Sequence, residues 1–326
     1  MELGNYPRVV ILGSAGFLGF HLAQYVIKHG ATNLVLVDNF IRGKRDEDYA
    51  RLCDGPRVTH LTLDLTLEAN LNSLFSKGDL VINCIALNGT QNFYSRPFEV
   101  LKNSAIPAIH IPFHAAQSSV GRYLYFGSSE SYAGGVNLGV VNIPTPEQVP
   151  LVIEDVTNVR WSYAIAKTIG ESACFAAASE FDLVFQVLRI HNIYGPRMGH
   201  EHVIPDLIRK FRAGSFGVHG MAETRSFLYI DDMLHYFVDI LNSDSHLNQV
   251  INIGSENEVD INHVALLILQ ALGIDAKTHE IGSFPGSVSR RSPDLSKLKT
   301  ITKNFSETSL ELGITKTIEW YLLNEK

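Results

Sequence analysis

From residue 8 the chain runs RVVILG, an apolar, β-branched stretch too short for a stable helix. An unbroken run of this kind predicts a strand buried on both faces, as in a parallel sheet. It breaks into GSAGFLG, and FHLAQYVIKHG then carries apolar residues at helical spacing as far as Gly30. A second run, NLVLVD, ends at Asp38, RVTHLTLDL ends near Asp64, DLVINCIA covers 79–86 and RYLYFGSS covers 122–129. Helical stretches lie between them, including a long one from about Pro97 to Ser118. This alternation predicts an α/β fold, a Rossmann-type doubly wound parallel sheet with helices on both faces. VINIGS at 250–255 reads as a strand that returns to the sheet late in the chain.

The first break carries chemistry. Gly13, Gly16 and Gly19 have GxxGxxG spacing between a strand and a helix. There they serve a tight turn, close backbone approach to a pyrophosphate and tight helix–strand packing, with the helix N-terminus facing the phosphates. Asp38 closes the second strand nineteen residues after Gly19. An acid at that place accepts both ribose hydroxyls of NAD and repels the extra phosphate of NADP. Arg42 and Lys44 speak for NADP, but Asp38 outweighs them. Asp64 and Leu65 end the third strand, where an acid either meets the adenine or simply turns the loop. In such sheets ligands gather at the carboxyl ends of the strands, so Ser128, Ser129 and Glu130 are expected to face the cofactor crevice.

Composition narrows the class. The 326 residues carry a net charge of −7, and no basic face speaks for nucleic acid. Cys53, Cys84 and Cys174 are scattered without CxxC spacing, which supports neither a disulfide framework nor a zinc site and suits a reducing cytoplasm. No metal is expected, because the 13 His form no paired-ligand pattern. No basic-then-apolar leader opens the chain and no apolar run reaches spanning length, so no membrane is expected as a partner.

WSYAIAKTIGE sets Tyr163 four residues before Lys167. On a helix the two share a face, and an ammonium beside a phenol favours the phenolate. The expectation is a Tyr that exchanges a proton at neutral pH; the bland alternative is a surface pair. GSAGFLG, Asp38, SSESY at 128–132, YAIAK and RIHNIYGPR, followed in order by VIPDLI, TRSFLYIDD, VINIGS and RRSPDLSK, decide between them. Together they resemble the extended short-chain dehydrogenases of the NAD-dependent nucleotide-sugar epimerase/dehydratase family, over nearly the whole chain.

The resemblance implies roles. Tyr163 is similar to the catalytic base, Lys167 to the residue that tunes it and holds the nicotinamide ribose, and Ser128 to the donor that orients the reacting hydroxyl. NAD, tightly held and regenerated within the cycle, is expected along Gly13, Gly16, Phe17, Leu18, Gly19, Asp38, Asn39, Asp64, Leu65, Ala86 and Asn103. A nucleotide sugar is expected at Ser129, Asn192, Val203, His219, Arg225 and Arg291, with each Arg alternatively a surface ion pair. After oxidation at C4, Glu130 is expected to assist chemistry at C5: dehydration, decarboxylation or epimerisation. The Ser129–Glu130 pair resembles GDP-mannose dehydratases and UDP-glucuronate decarboxylases, whereas TRSF and RRSPD lean to the latter. Departures are Gly127 in place of a Ser, the run Leu87–Asn88–Gly89, and His219 in place of an aromatic residue.

The expected division is an NAD-binding part at 1–190 with a return segment around 226–260, and a smaller, discontinuous nucleotide-sugar part at 191–225 and 261–326. Helices near 97–118 and 160–180 resemble the pair that forms a four-helix bundle in a homodimer; the alternative is that they only cover the sheet. The rival functions are a plain C4 epimerase, a C4 oxidase, a reductase of free carbonyl compounds, and a non-catalytic NAD-binding regulator.

Overall fold

The computed structural model describes residues 5–30, 33–283 and 286–325. Strands β1 (Val9–Leu12), β2 (Leu34–Asp38), β3 (Val58–Thr62), β4 (Leu80–Asn83), β5 (Arg122–Ser128) and β6 (Phe185–Ile190) join a late strand, Gln249–Ile253, in one sheet. The order is β3-β2-β1-β4-β5-β6 and then the late strand, all parallel. The order reverses between β1 and β4, which opens a crevice above the carboxyl ends of the strands.

The apolar runs are apolar on both faces because both faces are covered. In β1, Val9 and Ile11 join a core with Ile82, Leu124 and Phe126, while Val10 and Leu12 join another with Val81, Tyr123 and Tyr125. Each such side chain contributes roughly 1.5–3 kcal/mol when fully buried. The helices, in chain order, are α1 (Phe17–Lys28), α2 (Glu47–Cys53), α3 (Thr90–Ser95), α4 (Pro97–Gln117), α5 (Ala133–Asn137), α6 (Ser162–Phe181), α7 (Val203–Arg212), α8 (Ile230–Leu241), α9 (Ile261–Leu272), α10 (Ser296–Ile301) and α11 (Leu310–Asn324). Helices α1 and α8 cover one face; α4 and α6 cover the other. Gly170 lets α6 lie close on β5, since a Cβ there would stand 2.2 Å from the Tyr125 hydroxyl. No helix among the described residues is long and apolar enough to cross a membrane.

Beyond β6 the chain builds small sheets over the crevice. Thr224–Ser226 pairs with Glu258–Asp260 and, in parallel, with Arg290–Arg291. That register sets Arg291 opposite Arg225. Two cations from segments 66 residues apart are therefore neighbours over the carboxyl ends of the large sheet.

Candidate active site

The cleft begins at the glycine turn. Gly13 takes φ +77°, and a Cβ on Gly19 would stand 2.2 Å from the Gly13 carbonyl oxygen, so the turn closes tightly against α1. Gly16 caps α1 with extended backbone and no side chain, which leaves the first-turn N–H groups open to an anion. Phe17 and Leu18 complete this wall. Asp38 accepts hydrogen bonds from Ala15 N (2.9 Å) and Phe40 N (2.7 Å), one on each carboxylate oxygen. Burial raises its pKa, and these bonds oppose the rise. Each oxygen keeps lone-pair capacity toward the cleft, so glycine cradle and acid together fit a dinucleotide. Asn39, Leu65, Ala86 and Asn103 line the same wall. Asp64 lines it too, but Oδ1 is engaged by Thr66 N (3.0 Å) and Thr66 Oγ1 (2.8 Å), so it also turns the loop.

The reactive groups meet above β5. Ser128 ends the strand, its Oγ accepting from Glu130 N (3.2 Å), and it stands close enough to Tyr163 to oppose the rise of the phenol's pKa. Tyr163 lies in the first turn of α6 and stacks on Phe93, with centroids 5.0 Å apart and planes 17° from parallel. Lys167 follows one turn later, 5.9 Å from the Tyr163 ring. Its ammonium donates to Phe126 O at 2.6 Å and lies over Tyr125.

This corrects the expected electrostatics of the pair. Burial pushes the Tyr163 phenol well above its ordinary pKa, opposed by the Arg42 guanidinium and the Ser128 hydroxyl. Burial likewise lowers Lys167 to about 8. In this structure desolvation of each charged form dominates, and the pair does not tune itself: Arg42 and Ser128 oppose the rise at Tyr163, and Cys84 and Glu171 oppose the fall at Lys167.

Glu130 differs from expectation in a second way. Its carboxylate accepts from Arg160 Nη2 (3.0 Å) and Arg291 Nη1 (2.8 Å). Burial would raise its pKa, but the two guanidiniums, with Arg225 beyond them, hold it at about 2. Such a carboxylate is a poor base toward carbon, because protonation breaks two ion pairs. Since this folded value lies below the ordinary 4.5, the stabilisation is complete above about pH 4.5 and lost as pH falls toward 2. It amounts to on the order of 3 kcal/mol. Acid unfolding followed by circular dichroism is expected to begin at higher pH in wild type than in a Glu130→Gln variant normalised to its own neutral stability. Identical normalised acid limbs would show that the pair carries no such linkage.

Arg160 was not anticipated. It sits three residues before Tyr163, is 7% exposed and lines the cleft beside Glu130. Its sequence signal was only an Arg on the approach to the Tyr helix. The anticipated substrate residues Ser129, Asn192, Val203, His219, Arg225 and Arg291 all line the same cleft. Several already have partners. Asn192 Nδ2 donates to Ser226 O (3.0 Å), His219 Nδ1 is 3.1 Å from Gly282 O, and Arg225 bonds Glu223 (2.8 Å). Burial, then Arg291, lowers Arg225 to about 10.

Gly127 finds its reason here. A Cβ there would stand 2.9 Å from Glu171 Oε1, which with Arg189 forms a buried pair beneath the site. Arg189 also donates to the Tyr132 hydroxyl at 2.7 Å, tying α6, β6 and the segment after β5 together. Removing one partner of such a pair costs about 3–5 kcal/mol.

Residues 9–254 match the NAD dependent epimerase/dehydratase family. The chain is 30% identical to UDP-N-acetyl-alpha-D-glucosaminuronate decarboxylase of Bacillus cytotoxicus, over 96% of this chain and 97% of that one. It is 26% identical to UDP-glucuronic acid decarboxylase 1 of Xenopus tropicalis, over 96% and 72%. Among solved structures it is similar to UDP-glucuronic acid 4-epimerase of Bacillus cereus in complex with UDP-glucuronic acid and NAD, with a TM-score of 0.85, 22% identity and coverage of 97% and 99%. It is also similar to DesIV, a dTDP-glucose 4,6-dehydratase of Streptomyces venezuelae with NAD bound, with a TM-score of 0.87, 19% identity and 97% coverage of each chain. At these identities the two structures bear on the fold alone.

Proposed function

Since this chain belongs to the NAD-dependent epimerase/dehydratase family of nucleotide-sugar enzymes, we propose that it oxidises C4 of a nucleotide-linked uronic acid and then releases C6 as carbon dioxide. NAD held along Gly13–Gly19 and Asp38 supplies the hydride acceptor at C4. Ser128 orients the C4 hydroxyl, Tyr163 takes its proton in the fraction of molecules that hold it as phenolate, which grows with pH, and Lys167 braces the floor through Phe126 O.

The observation that carries the second step is Glu130 clamped between Arg160 and Arg291. Elimination and 5-epimerisation both need a base to remove the C5 hydrogen, and this carboxylate is unsuited to that. Decarboxylation needs none. A C4 ketone makes the C6 carboxylate part of a β-keto acid, so the C5–C6 bond breaks with its electron pair passing toward the ketone oxygen. Carbon dioxide leaves, and C5 takes up a proton. Arg160 and Arg291 suit a carboxylate through paired N–H donors. Glu130 then serves to hold the two guanidiniums at the sugar. The decarboxylases among the relatives point the same way.

Incubating the protein with UDP-linked hexuronates and with neutral UDP-, GDP-, CDP- and dTDP-sugars, and analysing products by mass and NMR, tests this. Loss of carbon dioxide from a uronate is the expected result. Loss of water, or turnover of neutral sugars only, would overturn it. Unchanged mass with inverted C4 would establish the second reading, a C4 epimerase. That reading is favoured by the same ion-paired Glu130 if its role is purely structural.

The same proposal takes residues 1–190 with the return segment as the cofactor-binding part, and a homodimer in a reducing cytoplasm. Helices α4 and α6 pack together and leave Ile109, Phe113, Phe175 and Phe181 exposed on their outer faces. Phe113 and Phe181 stand edge to face at 5.4 Å. Exposed apolar side chains of this size on two packed helices call for a partner. Introducing Phe113→Glu is expected to convert a dimer to a monomer in sedimentation velocity while leaving the circular dichroism spectrum unchanged. A wild-type monomer would remove the dimer from the proposal.

A further inference from the structure

Arg42 leaves the loop after β2 and crosses the cleft. Its backbone neighbours are fixed against the glycine turn: Lys44 N donates to Ala15 O at 3.3 Å, and a Cβ on Gly43 would stand 2.6 Å from Ala15 Cβ. The side chain therefore starts beside the residues that open α1. Its guanidinium ends 2.9 Å from Nε2 of His202, the N-cap residue of α7, within electrostatic reach of Tyr163. Burial and Arg42 itself depress His202 to about 3, so the ring is neutral and accepts the guanidinium N–H. Among the described residues no carboxylate stands at ion-pair distance from Arg42, and Glu201 acts on it only from farther away.

A half-buried guanidinium whose one hydrogen-bond partner among the described residues is a neutral imidazole, with Glu201 acting only at longer range, has its desolvation incompletely offset. Arg42 also lies beside the turn suited to a pyrophosphate. We propose that Arg42 is a diphosphate-binding residue for the dinucleotide, exchanging its contact with His202 for the phosphate oxygens. Two N–H donors on one planar group match adjacent phosphate oxygens, which an ammonium does not reproduce. The place of the guanidinium, at His202 and within electrostatic reach of Tyr163, separates this role from recognition of a ribose 2′-phosphate. It is independent of which net reaction follows oxidation at C4.

Titration of the protein, freed of dinucleotide, with NAD, adenosine, NADP and UDP in a calorimeter tests the assignment. Arg42→Ala is expected to weaken NAD by about 10- to 100-fold, the scale of charge-assisted hydrogen bonds, and to flatten the salt dependence of Kd. Adenosine and UDP should be unaffected, and Arg42→Lys should recover only part of the loss. A His202→Ala variant separates binding from mere support of the loop. Losing a competing partner leaves NAD binding equal or a few-fold tighter, whereas a structural strut would weaken it as Arg42→Ala does. An NAD affinity within two-fold of wild type in Arg42→Ala would overturn the assignment. So would a loss confined to UDP, which places the guanidinium on the sugar nucleotide, or a loss greater for NADP than for NAD, which places it at the 2′-phosphate. Were Arg42→Ala to fail to fold, Arg42→Gln, which retains a donor for His202, carries the same comparison.

Discussion

Tyr163→Phe is expected to lower turnover by about two to four orders of magnitude, the usual worth of a positioned acid–base group. It should do so with little change in binding of dinucleotide or sugar nucleotide. The substitution removes one hydroxyl and keeps the ring, which stacks on Phe93 at 5.0 Å, so packing and stability should survive. The single-turnover rate of NADH formation at 340 nm is the measurement of choice, because it reads the oxidation step alone. Unimpaired NADH formation would remove Tyr163 from the chemistry. The pH profile adds a second reading. Burial has raised the phenol, so the wild-type rate is expected to climb with pH beyond neutrality and not to plateau near 7.

Glu130→Gln should have the next largest effect, and on a different step. The amide nearly preserves shape but offers one acceptor and one donor to two guanidiniums that each need an acceptor. Arg160 and Arg291 then repel each other and are no longer held beside Ser128. Oxidation at C4 should persist, while carbon dioxide release falls by about 10- to 100-fold and a 4-keto product with NADH accumulates. Mass analysis of quenched reactions checks this, and release of carbon dioxide at the wild-type rate would reject it. A Glu acting as a base would also give an acid limb near its pKa. A carboxylate held at about 2 gives none between pH 4 and 7.

The two substitutions probe parts of the site that differed greatly in legibility. Runs such as RVVILG, a glycine turn and an acid nineteen residues later are local patterns whose geometry follows from backbone sterics and burial on both faces. The pairing of Tyr163 with Lys167 is local too, since four residues are one helical turn. Arg160 carried no pattern, because a cation three residues before a Tyr has no fixed direction until the short helical turn Val159–Trp161 and α6 aim it inward. Arg42 could be noticed in the sequence but not directed, and its reach to His202 spans 160 positions.

By itself the sequence determined the class of fold, the first five strands with the returning one, the helices that follow the glycine turn and lie near 97–118 and 160–180, the dinucleotide turn and the likeness to a family of sugar-nucleotide enzymes. Each of these rests on periodicity or short spacing, which near neighbours enforce. Only the tertiary structure decided the charge states on which the chemistry turns. Tyr163 is raised because it is buried, and Glu130 is held ionised because Arg160 and Arg291, 30 and 161 positions away, converge on it. Desolvation and long-range ion pairing depend on what surrounds a group in space, and a linear pattern does not contain that.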